Sequence, residues 1–217
     1  MALNRWIKDP FPALSHWLGA SLALIALAIV PWQEDHSIER VTALAIYSFS
    51  LVALYTASAV AHTARCSPAM AERLDRLDYA AIFLLIAGTY TLFCVVTLGG
   101  RWGAAMLGAV WLLALIGIVA VTRKGGCPVR VRLLLNLCMG WLVLIAVAPL
   151  LDAMSVVGLA WLIAGGIAYT SGAIIYATGQ PRLWPARFGS HDLWHVLVLI
   201  GSGCHFVAVC GYLDKLA

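Results

Sequence analysis

The chain has very few charged residues, and this scarcity decides its class. Only 11% of its 217 residues are Asp, Glu, Lys or Arg, whereas 63% are hydrophobic. Ordinary soluble domains have an apolar share of about 45–50%. No polar stretch is long enough to form a soluble domain of useful size. The sequence therefore predicts one domain over residues 1–217, an integral membrane protein.

Three further absences narrow the choice. The six cysteines, at positions 66, 94, 127, 138, 204 and 210, show no paired spacing, so we expect free, buried thiols rather than a disulfide framework. The sequence contains no internal repeat and no low-complexity segment. It also lacks a repeated pore motif or a ring of charges, which argues against a channel.

The hydrophobic residues form continuous blocks rather than alternating with polar ones. A transmembrane helix needs about 20 predominantly apolar residues, and continuous blocks of this length favour helical spans. Seven blocks can be placed, so we predict an all-α membrane protein, a seven transmembrane helix bundle. Their approximate limits are 14–31, 41–63, 78–98, 103–122, 132–150, 155–178 and 191–213.

The connections between the blocks differ sharply in positive charge. Eleven Lys and Arg residues lie on the side of the N-terminus and three on the opposite side. Cytoplasmic loops carry such an excess, so we predict a cytoplasmic N-terminus and a C-terminus outside. The formal charge of +4 is then explained by the orientation of the chain in the membrane, and it gives no reason to expect a nucleic-acid partner.

A pair of histidines opens the seventh block. His191 and His195 are four residues apart, so their side chains share one face of a helix. Polar rings in a membrane segment are costly unless they bind a partner. We therefore interpret the pair as part of a metal site.

The topology places further polar residues at the same membrane surface. Helix 2 is predicted to end, and helices 3 and 7 to begin, at the cytoplasmic face, so His62 and Asp78 lie at the depth of the pair. Three histidines with an open fourth position are a common arrangement for catalytic zinc. We predict that the zinc ligands are His62, His191 and His195. Asp78 would then orient or deprotonate a water molecule. Ser58, one turn deeper than His62, would steady that water or a developing oxyanion.

Other interpretations of single residues stay open. Asp78 is also placed to cap the N-terminus of helix 3. His16 lies beside Trp17 at the cytoplasmic end of helix 1, where we expect an interfacial residue, although a role near the site is conceivable. His205 follows His191 by fourteen residues, about 21 Å along a helix, so it cannot share the metal and we expect a packing role.

Taken together, Ser58-x-x-x-His62, Asp78 and His191-x-x-x-His195 resemble the pattern of the progestin and adipoQ receptor family. The sequence is most similar to its bacterial branch, the hemolysin III-like (TrhA-like) proteins. Supporting stretches are Ser15-His16-x-x-Gly19, residues 85–91 (LIAGTYT) and Gly201-x-x-x-His205-Phe206. The resemblance covers nearly the whole chain.

The resemblance carries several implications. The wider superfamily includes alkaline ceramidases, so it implies zinc as cofactor on His62, His191 and His195, with Asp78 and Ser58 beside the water. It implies a zinc-dependent hydrolase of lipid amides, or a factor in membrane lipid homeostasis. The expected partners are membrane lipids, including a lipid amide or a free fatty acid, and the expected location is the bacterial inner membrane.

Other functions compete with this one. A non-enzymatic receptor or regulator with a structural zinc stays open, as does a hemolysin- or channel-like protein. A haem protein suits a clustered triad poorly. His191-Asp192-x-x-His195 also has the spacing of an intramembrane metalloprotease motif, with Asp in place of Glu. Its distant ligand would be Asp152, which we predict to lie outside, about a full bilayer from the histidines.

Overall fold

A computed structural model describes residues 6–29, 37–181, 183–184 and 188–210. The chain is a bundle of antiparallel helices with short connections, and seven segments are long and apolar enough to cross a membrane. The helices are α1 (Pro10–Ile29), α2 (Ile38–Thr63), α3 (Pro68–Leu92), α4 (Gly100–Thr122), α5 (Val129–Gly140), α6 (Val147–Ala153), α7 (Val156–Thr178) and α8 (Ser190–Cys210). This confirms the predicted all-α class and the seven spans.

Two spans are not uniform α-helices. The third continues from α3 into a π-helical segment, Phe93–Leu98, and the fifth runs from α5 through a 3-10 segment, Trp141–Ala146, into α6. A break at membrane depth needs partners for the freed backbone groups. In the fifth span, the hydroxyl of Tyr90 supplies two such contacts, because it accepts from the Val143 N–H over 2.7 Å and donates to the Gly140 carbonyl over 3.1 Å.

The predicted start of the third helix at Asp78 is wrong. α3 begins at Pro68, after Ser67, whose hydroxyl accepts from the Met70 N–H. Serine before a proline at the first helical position is a standard helix start. The charged residues 72–76, predicted as a solvated loop, are therefore the second and third turns of the helix, and Asp78 is an interior helix residue that does not cap the N-terminus.

Some sequence predictions concern residues outside the described ranges. These are most of the connection between the first two helices (30–36) and the last three residues of the predicted seventh span (211–213). The five cysteines of the described part, at positions 66, 94, 127, 138 and 204, are free, as predicted. Cys94 is buried, whereas Cys138, which we expected to be a buried thiol, is exposed on α5.

The core lies on both sides of α3. One buried cluster joins α1, α2, α3 and α8, and a second joins α3 and α4 with the fifth span. Small residues allow helices to approach closely. An added Cβ on Gly88 of α3 would overlap Ser50 of α2, and one on Gly117 of α4 would overlap the ring of Phe83.

We expect Gly117→Ala to destabilise the bundle by about 1–3 kcal/mol, the usual cost of overpacking a filled core. Phe83 is fully buried, so its ring has little room to move. Gly108→Ala is the matched control, since it lies on the same helix and its Cβ would meet no atom within 4 Å. Unfolding midpoints in one detergent measure both variants. Equal midpoints would contradict this account of the α3–α4 contact.

Candidate metal centre

Three histidines from two helices meet at one end of the bundle. His62 is in the last turn of α2, and His191 and His195 occupy the first two turns of α8. One ligand nitrogen from each ring lies within 4.8 Å of the others, and the Nε2 atoms of His191 and His195 are 3.1 Å apart. These three residues, here called the metal centre, could hold a metal ion.

The spacing of the metal centre fits a small ion bound by nitrogen. Bonds of about 2.0–2.1 Å in a tetrahedral site place ligand nitrogens about 3.3 Å apart. His62 and His195 are almost fully buried, whereas His191 is exposed. Among the described residues, the three histidines are the only group whose ligand atoms lie close enough together to hold a metal ion. Asp78 is therefore outside the set, and no fourth protein ligand from the described part closes the site.

Asp78 and Ser58 were predicted beside these histidines, and all five residues line one cavity. Ser58 is buried at 1% exposure, and its hydroxyl makes no hydrogen bond of strict geometry among the described residues but lies next to the Asp78 carboxylate. Asp78 is half-buried and close enough to His62 for an electrostatic interaction. A carboxylate and a neighbouring hydroxyl thus share the cavity with the metal centre.

Two polar residues contact the metal centre in a way that the sequence did not predict. His16, expected at the membrane interface, is 2% exposed, and its Nε2 lies 2.9 Å from Nδ1 of His195. Asp9, just before α1, accepts a hydrogen bond from Nδ1 of His62 over 2.9 Å. The available signal for Asp9 was a carboxylate on the side where the histidines were predicted.

The cavity beside the metal centre has a volume of about 390 Å³. It is mainly apolar and extends from the histidines past Phe93 to Leu162 and His205. Along α8, the interval from His191 to His205 is about 21 Å. His205 hydrogen-bonds the Leu162 carbonyl over 3.2 Å, so it lies outside the metal centre, as predicted.

A second group of polar residues lines this cavity. Arg132, at the edge of the predicted fifth block and counted among the eleven cations of the connections, is a buried residue of α5 whose guanidinium carbon lies 3.4 Å from the ring centroid of Tyr79. One turn further, both amide atoms of Asn136 are buried without a hydrogen-bond partner among the described residues. A cation and an unpaired amide therefore face an otherwise apolar space.

The metalloprotease alternative finds no support in this geometry. Asp192 accepts a hydrogen bond from the Gly189 N–H over 2.7 Å, which is a capping contact at the start of α8. Asp152 is exposed near the end of α6 and is not part of the histidine group. Neither carboxylate occupies the position that a protease mechanism requires.

Comparison with known proteins assigns the chain to a family. The family model described as "Haemolysin-III related" matches residues 4–206. Hemolysin-3 of Bacillus cereus is 34% identical over 213 residues, covering 97% of this chain and 94% of the relative. The Hemolysin-3 homolog of Bacillus subtilis (strain 168) is 34% identical over 206 residues, covering 94% and 93%.

A more distant relative connects the chain to receptors. The adiponectin receptor protein of Drosophila melanogaster is 26% identical over 213 residues, covering 88% of this chain and 48% of the relative. The predicted resemblance is thus confirmed. The chain belongs to the haemolysin-III related family of multi-pass membrane proteins, to which adiponectin receptors are more distantly related.

Proposed function

We propose that the metal centre binds zinc and that the protein hydrolyses lipid amides, as a ceramidase does. The observation that carries the proposal is a group of three histidines, without a fourth ligand from the described residues, at one end of a long apolar cavity. The membrane is the bacterial inner membrane, and the site faces the cytoplasmic leaflet, in keeping with the distribution of Lys and Arg.

Imidazole suits several transition metals, but three histidines with an open position are typical of catalytic zinc. Zinc bound there supplies a Lewis acid that polarises a carbonyl and activates water for attack at neutral pH. The exposed edge at His191 gives the polar end of a substrate access to this position.

The chain's own residues account for substrate binding. An acyl chain lies in the apolar cavity, where its burial is favourable because water is excluded. Arg132 and Asn136 hold the polar part of the lipid, since both are buried beside the cavity and Asn136 has unpaired hydrogen-bonding atoms. The substrate amide is thereby aligned with the metal centre.

Proton transfer is assigned to Asp78. Its carboxylate accepts a proton from the attacking water as the water oxygen bonds to the amide carbon, and returns the proton to nitrogen as the carbon–nitrogen bond breaks. The products are a fatty acid and an amine. The Ser58 hydroxyl donates a hydrogen bond to the carbonyl oxygen as negative charge develops on it.

The direct experiment is product release by the purified, zinc-loaded chain in lipid nanodiscs containing ceramides. We expect equal amounts of free fatty acid and sphingoid base, measured by mass spectrometry. A chelator should abolish the release and added zinc should restore it. A chain that holds one zinc but cleaves no ceramide or other acylated lipid would overturn the hydrolase proposal in favour of a receptor with structural zinc.

A further inference from the structure

The segment that leads into α1 is tied to the end of α2, next to His62. The Asp9 N–H donates to the His62 carbonyl over 2.9 Å, the Lys8 N–H donates to the Thr63 carbonyl over 3.4 Å, and Lys8 Nζ lies 3.5 Å from the Ala61 carbonyl. The last four carbonyls of a helix have no partner within it. Residues 8 and 9 therefore close the end of α2, and this fixes the position of Asp9.

Asp9 holds His62 at two points. Besides its backbone bond to the His62 carbonyl, its carboxylate accepts from Nδ1 of the same residue. A neutral imidazole carries one proton, and the hydrogen bond made by one nitrogen decides which nitrogen bears it. With the proton on Nδ1, the lone pair of His62 is on Nε2, the other nitrogen of the ring and free to bind a metal.

His16 makes the corresponding contact with His195. Nδ1 of His195 faces Nε2 of His16 at 2.9 Å, and Nε2 of His195 faces Nε2 of His191 at 3.1 Å. If His195 donates its Nδ1 proton to His16, its Nε2 lone pair points towards the other ligands. Both His16 and His195 are 2% exposed, so water does not replace this partner.

We propose that Asp9 and His16 are positioning residues of the metal centre. Each holds one ligand histidine in the tautomer and ring orientation that presents Nε2, so the segment around the start of α1 prepares two of the three ligands before metal binds. The inference rests on the proposed zinc site, but it concerns the affinity and geometry of that site rather than the reaction.

The first test is the zinc affinity of Asp9 variants in the full chain, measured by competition with a chromophoric chelator. Asp9→Ala should bind zinc about 10–100-fold more weakly, the usual effect of losing an outer partner of a ligand histidine. Asp9→Asn keeps an acceptor oxygen at the same reach and should lose less zinc affinity. Asp75→Asn is the charge-matched control. It removes the other carboxylate that pairs with Lys8, at 3.8 Å, and leaves the contact between Asp9 and His62 in place.

The second test applies the same logic to His16. His16→Leu removes the acceptor and should weaken zinc binding by about 10–100-fold, whereas the amide oxygen of His16→Gln can still accept the Nδ1 proton and should recover part of the affinity. His205→Gln, on α8 outside the metal centre, is the control and should bind as wild type does. The visible absorption of bound Co²⁺ should change in Asp9→Ala and His16→Leu, because the ligand rings lose their fixed orientation.

The outcomes separate this inference from the proposed function. Wild-type zinc affinity and an unchanged Co²⁺ spectrum in Asp9→Ala and His16→Leu would overturn the inference and leave the zinc site standing. Equal losses in Asp9→Ala and Asp9→Asn would assign the effect to the negative charge of Asp9 rather than to its acceptor oxygen and would also overturn the inference. A wild-type chain without metal affinity would refute the proposed function itself. If His16→Leu does not fold, the Asp9 series decides, since the Asp9 side chain is 40% exposed.

Discussion

Asp78→Ala is expected to keep one zinc per chain and to lose about 10²–10⁴-fold in the rate of amide hydrolysis, the usual contribution of a general base. Asp78 lines the cavity beside the metal centre but is not one of the clustered ligands. Its removal should therefore affect proton transfer and leave metal binding intact. Fatty acid release and zinc content, measured on the same preparation, check both parts.

Glu72→Gln is the matched control for this prediction. Glu72 lies six residues earlier on α3 and pairs with Arg76, so the substitution removes a carboxylate of the same helix that does not line the cavity. It should hydrolyse at the wild-type rate. Equal release from wild type and Asp78→Ala would contradict the role assigned to Asp78, and loss of zinc from Asp78→Ala would make this residue a ligand.

His195→Ala is expected to abolish stoichiometric zinc binding and the stability that depends on it. His195 is 2% exposed and its Nε2 faces that of His191, so the substitution leaves two of the three clustered ligands. A ligand that binds only the folded state stabilises it by about 4 kcal/mol when its free concentration is a thousand times Kd. Added zinc should therefore raise the wild-type unfolding midpoint and leave that of His195→Ala unchanged.

His205→Ala is the control for His195→Ala, since it removes a histidine from the same helix outside the metal centre. It should keep the zinc-dependent rise in midpoint, although its own midpoint without zinc is expected to fall. A zinc-dependent rise of wild-type size in His195→Ala would show that the stabilising site lies elsewhere in the chain.

The seven spans and the histidine cluster were accessible from sequence because simple rules govern them. Long apolar blocks have few alternatives to spanning helices, and residues four apart share a helix face. Because successive spans cross the membrane in opposite directions, the end of α2 and the start of α8 were predicted on the same side. This made His62 the expected partner of His191 and His195. The structure brings these three residues together.

The contacts of His16 and Asp9 with the metal centre were harder to predict from the sequence. His16 was assigned to the interface because of its neighbour Trp17, but consecutive helix residues differ by about 100° in direction. Trp17 is 40% exposed while His16 is buried. Asp9 and His62 are 53 residues apart, and no periodicity connects a residue before one helix to the end of another.

Charged residues also led to wrong predictions at two places, the start of α3 and Arg132. The charged residues before Asp78 were predicted to form a loop, but they belong to α3, which begins at Pro68. A helix can carry charged residues wherever its surface meets water. Arg132, at the edge of the predicted fifth block, was counted among the cations of the connections for the same reason. Its burial beside the Tyr79 ring is a cation–π contact, which depends on tertiary structure and has no local sequence signal.

Zinc content is the most direct test of the proposed metal centre. Wild type and the single variants His62→Ala, His191→Ala and His195→Ala should be purified identically and analysed by inductively coupled plasma mass spectrometry against protein concentration. We expect one zinc per wild-type chain and a strong loss in every variant. A folded wild-type chain without stoichiometric zinc, even after zinc is supplied, would contradict the account.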